Sequence, residues 1–298
     1  MHEGRVIVNY RRNALIETKH GERIDCLVKG RNLKPVCGDV VNWVKNADGT
    51  CVIKAITPRH SLLYRYDSRK KRQPLAANIE QIVIVAATEP AVDVFTIDKY
   101  LVAAHAVGVK AMLVFNKADL AETKTPPTFA QLKIEYENLG YPVKQTSVVT
   151  GKGIKNLAED LRNHINVLVG PSGVGKSSLV KSLLPDEDIM IEAISEARGE
   201  GRHTTTRTTL YHLPTGGDLI DSPGVREFIL WPMPVAELGQ YFPEFNALKE
   251  KCRFSNCLHL AEPACAVKIA AAEGDILPRR YDSYRGLAKI MDAQYREY

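Results

Sequence analysis

The sequence predicts a multidomain chain: an OB-type β-barrel, a parallel α/β domain built on a phosphate-binding P-loop, and a metal-binding helical unit. Three observations predict it. About five short β-rich segments fill residues 1–60, punctuated by Gly21, Gly30, Gly38 and Gly49. Strand and helix patterns then alternate from residue 81 to 184. Near the end, three cysteines and a histidine crowd into one short stretch. The expected boundaries are 1–75, 76–228 and 229–298, and 298 residues give each unit material for a core.

In the first unit, the β-formers cluster at residues 5–10, 13–18, 23–28, 40–44 and 51–56. Five short strands in a basic unit suggest an OB barrel, a frequent oligonucleotide binder, although an SH3-like barrel fits the same pattern. Residues 1–75 carry 16 Lys+Arg against 7 Asp+Glu, net +9, whereas the rest of the chain is net −4. That imbalance points to a polyanionic partner at this end. Cys26, Cys37 and Cys51 lack metal-ligand spacing and are expected as small, mostly core residues. Residues 58–78 read as a connector in which Arg65, Arg69, Lys70, Lys71 and Arg72 alternate with Tyr64 and Tyr66. Such a stretch either grips a nucleic-acid backbone or is a solvated tether.

The α/β pattern starts with a buried strand at 81–87, a helix at 96–107 and a second strand at 110–115. Helices at 129–139 and 154–164 flank a short strand at 142–145. In such sheets ligands sit at the carboxyl ends of the strands. Asn116, Lys117, Ala118 and Asp119 follow a strand directly and spell NKxD, the guanine-reading motif of GTPases. An Asp119 carboxylate can accept from guanine N1–H and the N2 amine, and adenine offers neither donor there. The segment 146–151, with Ser147, resembles the second base-contacting loop of the same enzymes.

Gly170, Pro171, Ser172, Gly173, Val174, Gly175, Lys176, Ser177 and Ser178 spell GxxxxGK[ST], between a strand at 166–169 and a helix at 178–184. The glycines let the backbone turn its N–H groups to phosphate oxygens, Lys176 supplies charge, and the Ser177 hydroxyl can ligate Mg²⁺. A glycine- and threonine-rich loop at 197–206 follows, where Thr205 is expected to sense Mg²⁺ and the γ-phosphate. Asp221 and Gly224 then complete DxxG, with Asp221 expected on Mg²⁺ through water and the Gly224 N–H on the γ-phosphate. Ordinary GTPases run P-loop, threonine loop, DxxG, NKxD. Here NKAD comes first, so the domain reads as circularly permuted, which close-lying domain termini tolerate.

In the last unit, Cys252, Cys257, His259 and Cys265 place three thiols and an imidazole within one loop. That donor set suits one tetrahedral, structural Zn²⁺, although the spacing is not that of a common finger. Helices are expected at 267–273 and 278–298.

Taken together, the basic barrel, NKAD, GPSGVGKSS, GRHTTT, DSPG and the Cys/Cys/His/Cys loop resemble the RsgA family of ribosome small-subunit-dependent GTPases over nearly the whole chain. The resemblance implies GTP hydrolysis stimulated by the 30S subunit during its late maturation, contact with 16S rRNA by the outer units, and zinc at the four residues named. Mg²⁺ is expected with GTP on Ser177, Thr205 and Asp221. Val225 stands after DxxG where Ras-like enzymes carry the water-orienting glutamine, so His203 is the candidate for that task. Gly173 stands where some potassium-activated GTPases carry asparagine, so potassium activation is not expected. No apolar run is long enough to span a membrane and residues 1–10 have no signal-peptide core, so a cytoplasmic monomer without a membrane partner is expected. Two other classes remain: an ATP-using P-loop enzyme, against which NKAD argues, and an RNA-binding module whose nucleotide is only a structural ligand.

Overall fold

The computed structural model describes the chain except residues 11, 31, 67–71, 121–126, 185–207, 222–231 and 297–298. Five strands form the first unit: β1 (His2–Asn9), β2 (Asn13–Glu17), β3 (Arg23–Val28), β4 (Val40–Lys45) and β5 (Cys51–Ile56). They pair β1–β2–β3–β5–β4 and close through β4 onto β1, with β3 and β5 parallel and the other pairs antiparallel. Closure leaves no free edge within the barrel. Val6, Ala14, Ile16, Cys26, Val41 and Ile53 fill its inside, all at 0% exposure. Cys37 is also buried, and Cys51 is half-buried.

The connector at 58–78 is more ordered than its composition implies. It carries an antiparallel hairpin, β6 (Leu62–Tyr66) and β7 (Arg72–Ala77). Leu63, Ala76 and Ala77 are fully buried, so the inner ends of this hairpin are core. Arg72 lies over the Tyr64 ring, 5.9 Å from its centroid.

The α/β unit contains β8 (Gln81–Ala87), α1 (Val94–Val107), β9 (Lys110–Asn116), α2 (Phe129–Asn138), β10 (Val143–Gln145), α3 (Ile154–Asp160), β11 (Ile165–Val169) and α4 (Lys176–Leu183). The hairpin β12 (Thr209–His212) and β13 (Asp218–Asp221) completes it. The order is β10–β9–β8–β11–β13–β12, parallel except for β12. β8 is buried along its whole length because helices cover both faces. Each fully buried valine or isoleucine there contributes roughly 1.5–3 kcal/mol of burial. Asp93 caps α1 by accepting from the Phe95 N–H, and Gly108 ends the helix at φ 77°. A Thr128–Gln131 capping box starts α2.

The barrel and the α/β sheet are not separate sheets. Strand β1 pairs with β12 at Val8 and Thr209, so one sheet runs through both units.

The last unit has short helices α5 (Val235–Leu238) and α6 (Pro243–Asn246), then α7 (Ala266–Glu273) and α8 (Pro278–Arg296). Phe242, Phe245 and Tyr284 form its aromatic centre. Helix α8 crosses α1 closely: a Cβ on Gly286 would lie 2.8 Å from the Phe95 ring. Among the described residues, no helix is long and apolar enough to cross a membrane.

Candidate functional site

The parallel strands bring the motif-bearing loops to one edge of the sheet. NKAD closes β9, the 146–151 loop follows β10, the P-loop follows β11, and Asp221 ends β13 next to β11. Backbone demands explain the P-loop glycines. Gly170 has φ 141°, and a Cβ there would sit 2.2 Å from the Val85 carbonyl oxygen. Gly175 has φ 93°, and a Cβ would sit 2.4 Å from Asn116 Nδ2. Gly173 has φ 84° and packs beside Pro90.

Asn116 holds this edge together. Its buried amide donates to the Val174 carbonyl at 3.0 Å, and its Oδ1 accepts from Thr146 Oγ1 at 3.0 Å. One side chain therefore joins NKAD, the P-loop and the 146–151 loop. The Ala118 N–H donates to the Thr146 carbonyl at 2.9 Å, a second link between two of them. Asp119 is exposed and one of its carboxylate oxygens accepts from the Ser147 hydroxyl, which in turn accepts from the Thr150 N–H. Lys117 adopts φ 58°, and its ammonium donates to the Glu89 carbonyl at 2.6 Å.

The Lys176 ammonium is folded back on its own loop, donating to the carbonyls of Gly170 at 2.8 Å and Pro171 at 2.6 Å. Pro171 is half-buried, Val174 is buried, and Ser172, Ser177 and Ser178 are exposed, the last two in the first turn of α4. The first turn of a helix directs its N–H groups and the positive end of its dipole outward, which favours an anion there. Ser177 lies in α4, which follows β11, and Asp221 ends β13, which pairs with β11; both offer oxygen ligands, a donor chemistry that suits Mg²⁺. His203, Thr205, Gly224 and Val225 lie outside the described residues.

In the last unit, one ligand atom from each of Cys252, Cys257, His259 and Cys265 falls within 4.8 Å of all the others. Cys252 Sγ is 3.9 Å from Cys265 Sγ, and His259 Nδ1 is 3.4 Å from Cys265 Sγ and 3.6 Å from Cys252 Sγ. A tetrahedral zinc with 2.3 Å thiolate bonds needs sulfur pairs about 3.8 Å apart, so the residues fit a metal. Folding presents them at some cost: His259 adopts φ 59°. Tyr281 and Tyr284 hydroxyls donate to the carbonyls of His259 and Leu258, and Glu262 accepts from the N–H groups of Leu258 and Leu260. Burial by itself pushes the Cys257 thiol up to about 12 and lowers His259 from its ordinary value. A cation reverses the first shift by holding the thiolate.

Motif reading missed one group of residues. Asp98 and Arg280, both nearly inaccessible, form an ion pair at 2.6 Å between α1 and α8. Glu244 adds a contact at 2.7 Å to Arg280, and the Tyr136 hydroxyl donates to Asp98 at 2.7 Å. No tetrapeptide pattern marks residues 182 positions apart.

Fold and site together define a circularly permuted P-loop GTPase flanked by a five-stranded barrel and a Cys₃His unit. The family model described as RsgA GTPase matches residues 56–231. The chain belongs to the RsgA family of GTPases. It is 40% identical over 296 residues to the small ribosomal subunit biogenesis GTPase RsgA of Hahella chejuensis, covering 98% of this chain and 85% of the relative. It is 43% identical over 288 residues to that of Pseudomonas syringae pv. tomato, covering 95% and 84%. Among solved structures it is similar to YjeQ from Thermotoga maritima, with TM-score 0.80 and 32% identity over 97% of this chain and 98% of that one. It is also similar to YloQ, described as a circularly permuted GTPase, with TM-score 0.78 and 26% identity over 99% and 96%.

Proposed function

We propose that the chain hydrolyses GTP to GDP and phosphate when stimulated by the 30S subunit, and acts in late maturation of that subunit through contacts to 16S rRNA. The observation that carries the reading is the convergence at Asn116, whose amide ties the base-reading loops to the P-loop. In the proposed roles, Asp119 accepts from guanine N1–H and N2–H while Ser147 fixes its orientation, and Lys117 lies against the base. The N–H groups of residues 170–178 and the Lys176 ammonium hold the phosphates, for which Lys176 must leave the carbonyls of Gly170 and Pro171. Mg²⁺, held by Ser177, Thr205 and Asp221, would neutralise charge developing between the β- and γ-phosphates. Gly224 would sense the γ-phosphate and His203 would orient the water. One structural Zn²⁺ would occupy the Cys₃His group. The proposed units are 1–75, 76–228 and 229–298, with the +9 of the first directed at rRNA. Turnover of GTP, measured alone and with purified 30S or 50S particles, tests the whole reading. Stimulation by 30S alone is expected, and equal turnover under all three conditions would remove the ribosomal part of it.

A further inference from the structure

The β12–β13 hairpin occupies an unusual position. At one end, β12 leaves the segment that contains Thr205, and β13 delivers Asp221 to the nucleotide edge. At the other, its turn lies against α3, where a Cβ on Gly217 would approach the Leu161 carbonyl oxygen to 2.6 Å. Along its outer side, it meets the barrel through the β1–β12 pairing at Val8 and Thr209. The side chains at this seam form a chain of charges. His212 Nδ1 is 2.6 Å from Asp218 Oδ1, and His212 Nε2 is 2.8 Å from Glu17 Oε1. Arg5 of β1 meets the other Asp218 oxygen at 2.5 Å, and Arg23 of β3 meets the other Glu17 oxygen at 3.3 Å.

Both partners of the imidazole are carboxylates, which only accept when ionised. A neutral imidazole has one N–H and can donate to just one of them. Both contacts become hydrogen bonds only in the imidazolium. We propose that His212 is a positioning residue for GTP hydrolysis: as an imidazolium it clamps the barrel, through Glu17, to the hairpin, through Asp218, and so fixes where Asp221 stands. The proposal rests on the reading that Asp221 holds Mg²⁺.

The Asp218 hydrogen bond, opposed by burial and aided by the Glu17 charge, raises His212 above its ordinary value. With the folded value raised, the clamp is complete below about pH 6.5 and is lost as pH rises through the raised value. If the hairpin shifts when the γ-phosphate arrives, His212 and Asp218 move with it relative to Glu17 on the barrel, and proton affinity at His212 must differ between nucleotide states. A merely structural ion cluster gives no such difference.

The test is an NMR titration of the His212 ring in the full-length protein, with GDP–Mg²⁺ and with a non-hydrolysable GTP analogue and Mg²⁺, assigned with His212→Gln. The expected result is a difference of at least about half a unit between the states, or about threefold in proton affinity. Glu17→Gln, which touches no proposed nucleotide residue, is expected to lower the midpoint in both states. In His212→Lys, which keeps a cation, GTP affinity is expected to stay flat from about pH 6 to 9 while the wild type loses affinity. Identical midpoints in the two states, or the same pH profile in His212→Lys as in the wild type, would overturn the proposal. Failure of the Asp221 reading is visible separately, as unchanged Mg²⁺ dependence of GTP binding in Asp221→Asn.

Discussion

Gly175 shows how tightly single positions are set at the nucleotide edge. Its φ of 93° and the 2.4 Å approach of a notional Cβ to Asn116 Nδ2 leave no room for a side chain. Gly175→Ala therefore either strains the loop by about 1–3 kcal/mol or breaks the Asn116–Val174 hydrogen bond. GTP affinity measured by titration calorimetry is expected to fall roughly 5- to 150-fold with the fold intact, and unchanged affinity would mean that the loop has room for a side chain at Gly175. The P-loop and NKAD were legible in the sequence because their chemistry needs fixed residue types at fixed spacing. That the motif asparagine ties its loop to neighbouring backbone is legible too, but not that the partners are Val174 and Thr146, since that depends on where β9, β10 and β11 lie in the sheet. Asp98 and Arg280 were illegible for a similar reason: a charged residue in a helix reads as solvated until its distant partner is known.

Among the elements, α1 and α8 form the joint between the GTPase and the Cys₃His unit. Gly286 lets α8 approach Phe95, and Arg280 reaches Asp98 and Glu244 beneath it. Arg280→Met leaves two acidic groups without their cation, a loss expected to cost about 3–5 kcal/mol. Hydrogen exchange should then show α8 opening more often, and protection equal to the wild type would mean that the pair adds nothing. The Cys₃His loop is braced differently, by Tyr281, Tyr284 and Glu262. Chelation of the proposed Zn²⁺ is expected to expose the amides of residues 252–265 while GTP affinity is retained, because the P-loop and NKAD stand on other elements. Loss of GTP binding on chelation would contradict that separation. The barrel strands were readable from β-formers and glycines, and the structure chooses the OB pairing over the SH3-like one. The β6–β7 hairpin looks like a connector in sequence because its arginines and lysines mask the short apolar ends at Leu63, Ala76 and Ala77.

Across the whole molecule, the barrel is joined to the GTPase sheet through β1 and β12 rather than by a tether. That pairing links residues 201 positions apart in Val8 and Thr209, which no local periodicity records. Removing residues 1–75 would therefore take β1 away from β12 and leave β12 as a bare edge, besides removing the positive charge, so charge-neutralising substitutions separate the two effects better. The same long-range assembly defines the active edge. The NKAD loop, 116–119, precedes the P-loop, 170–178, yet both meet at Asn116. Whether these pieces form one guanine-nucleotide site is read most sharply from the nucleotide preference of Asp119→Asn. The amide presents a donor to the xanthine carbonyl, and sites built on such groups discriminate by about 10⁴ or more. With 30S particles present, the variant is expected to lose GTP turnover and to hydrolyse xanthosine triphosphate. Undiminished GTP turnover with no gain in xanthosine triphosphate hydrolysis would contradict the account.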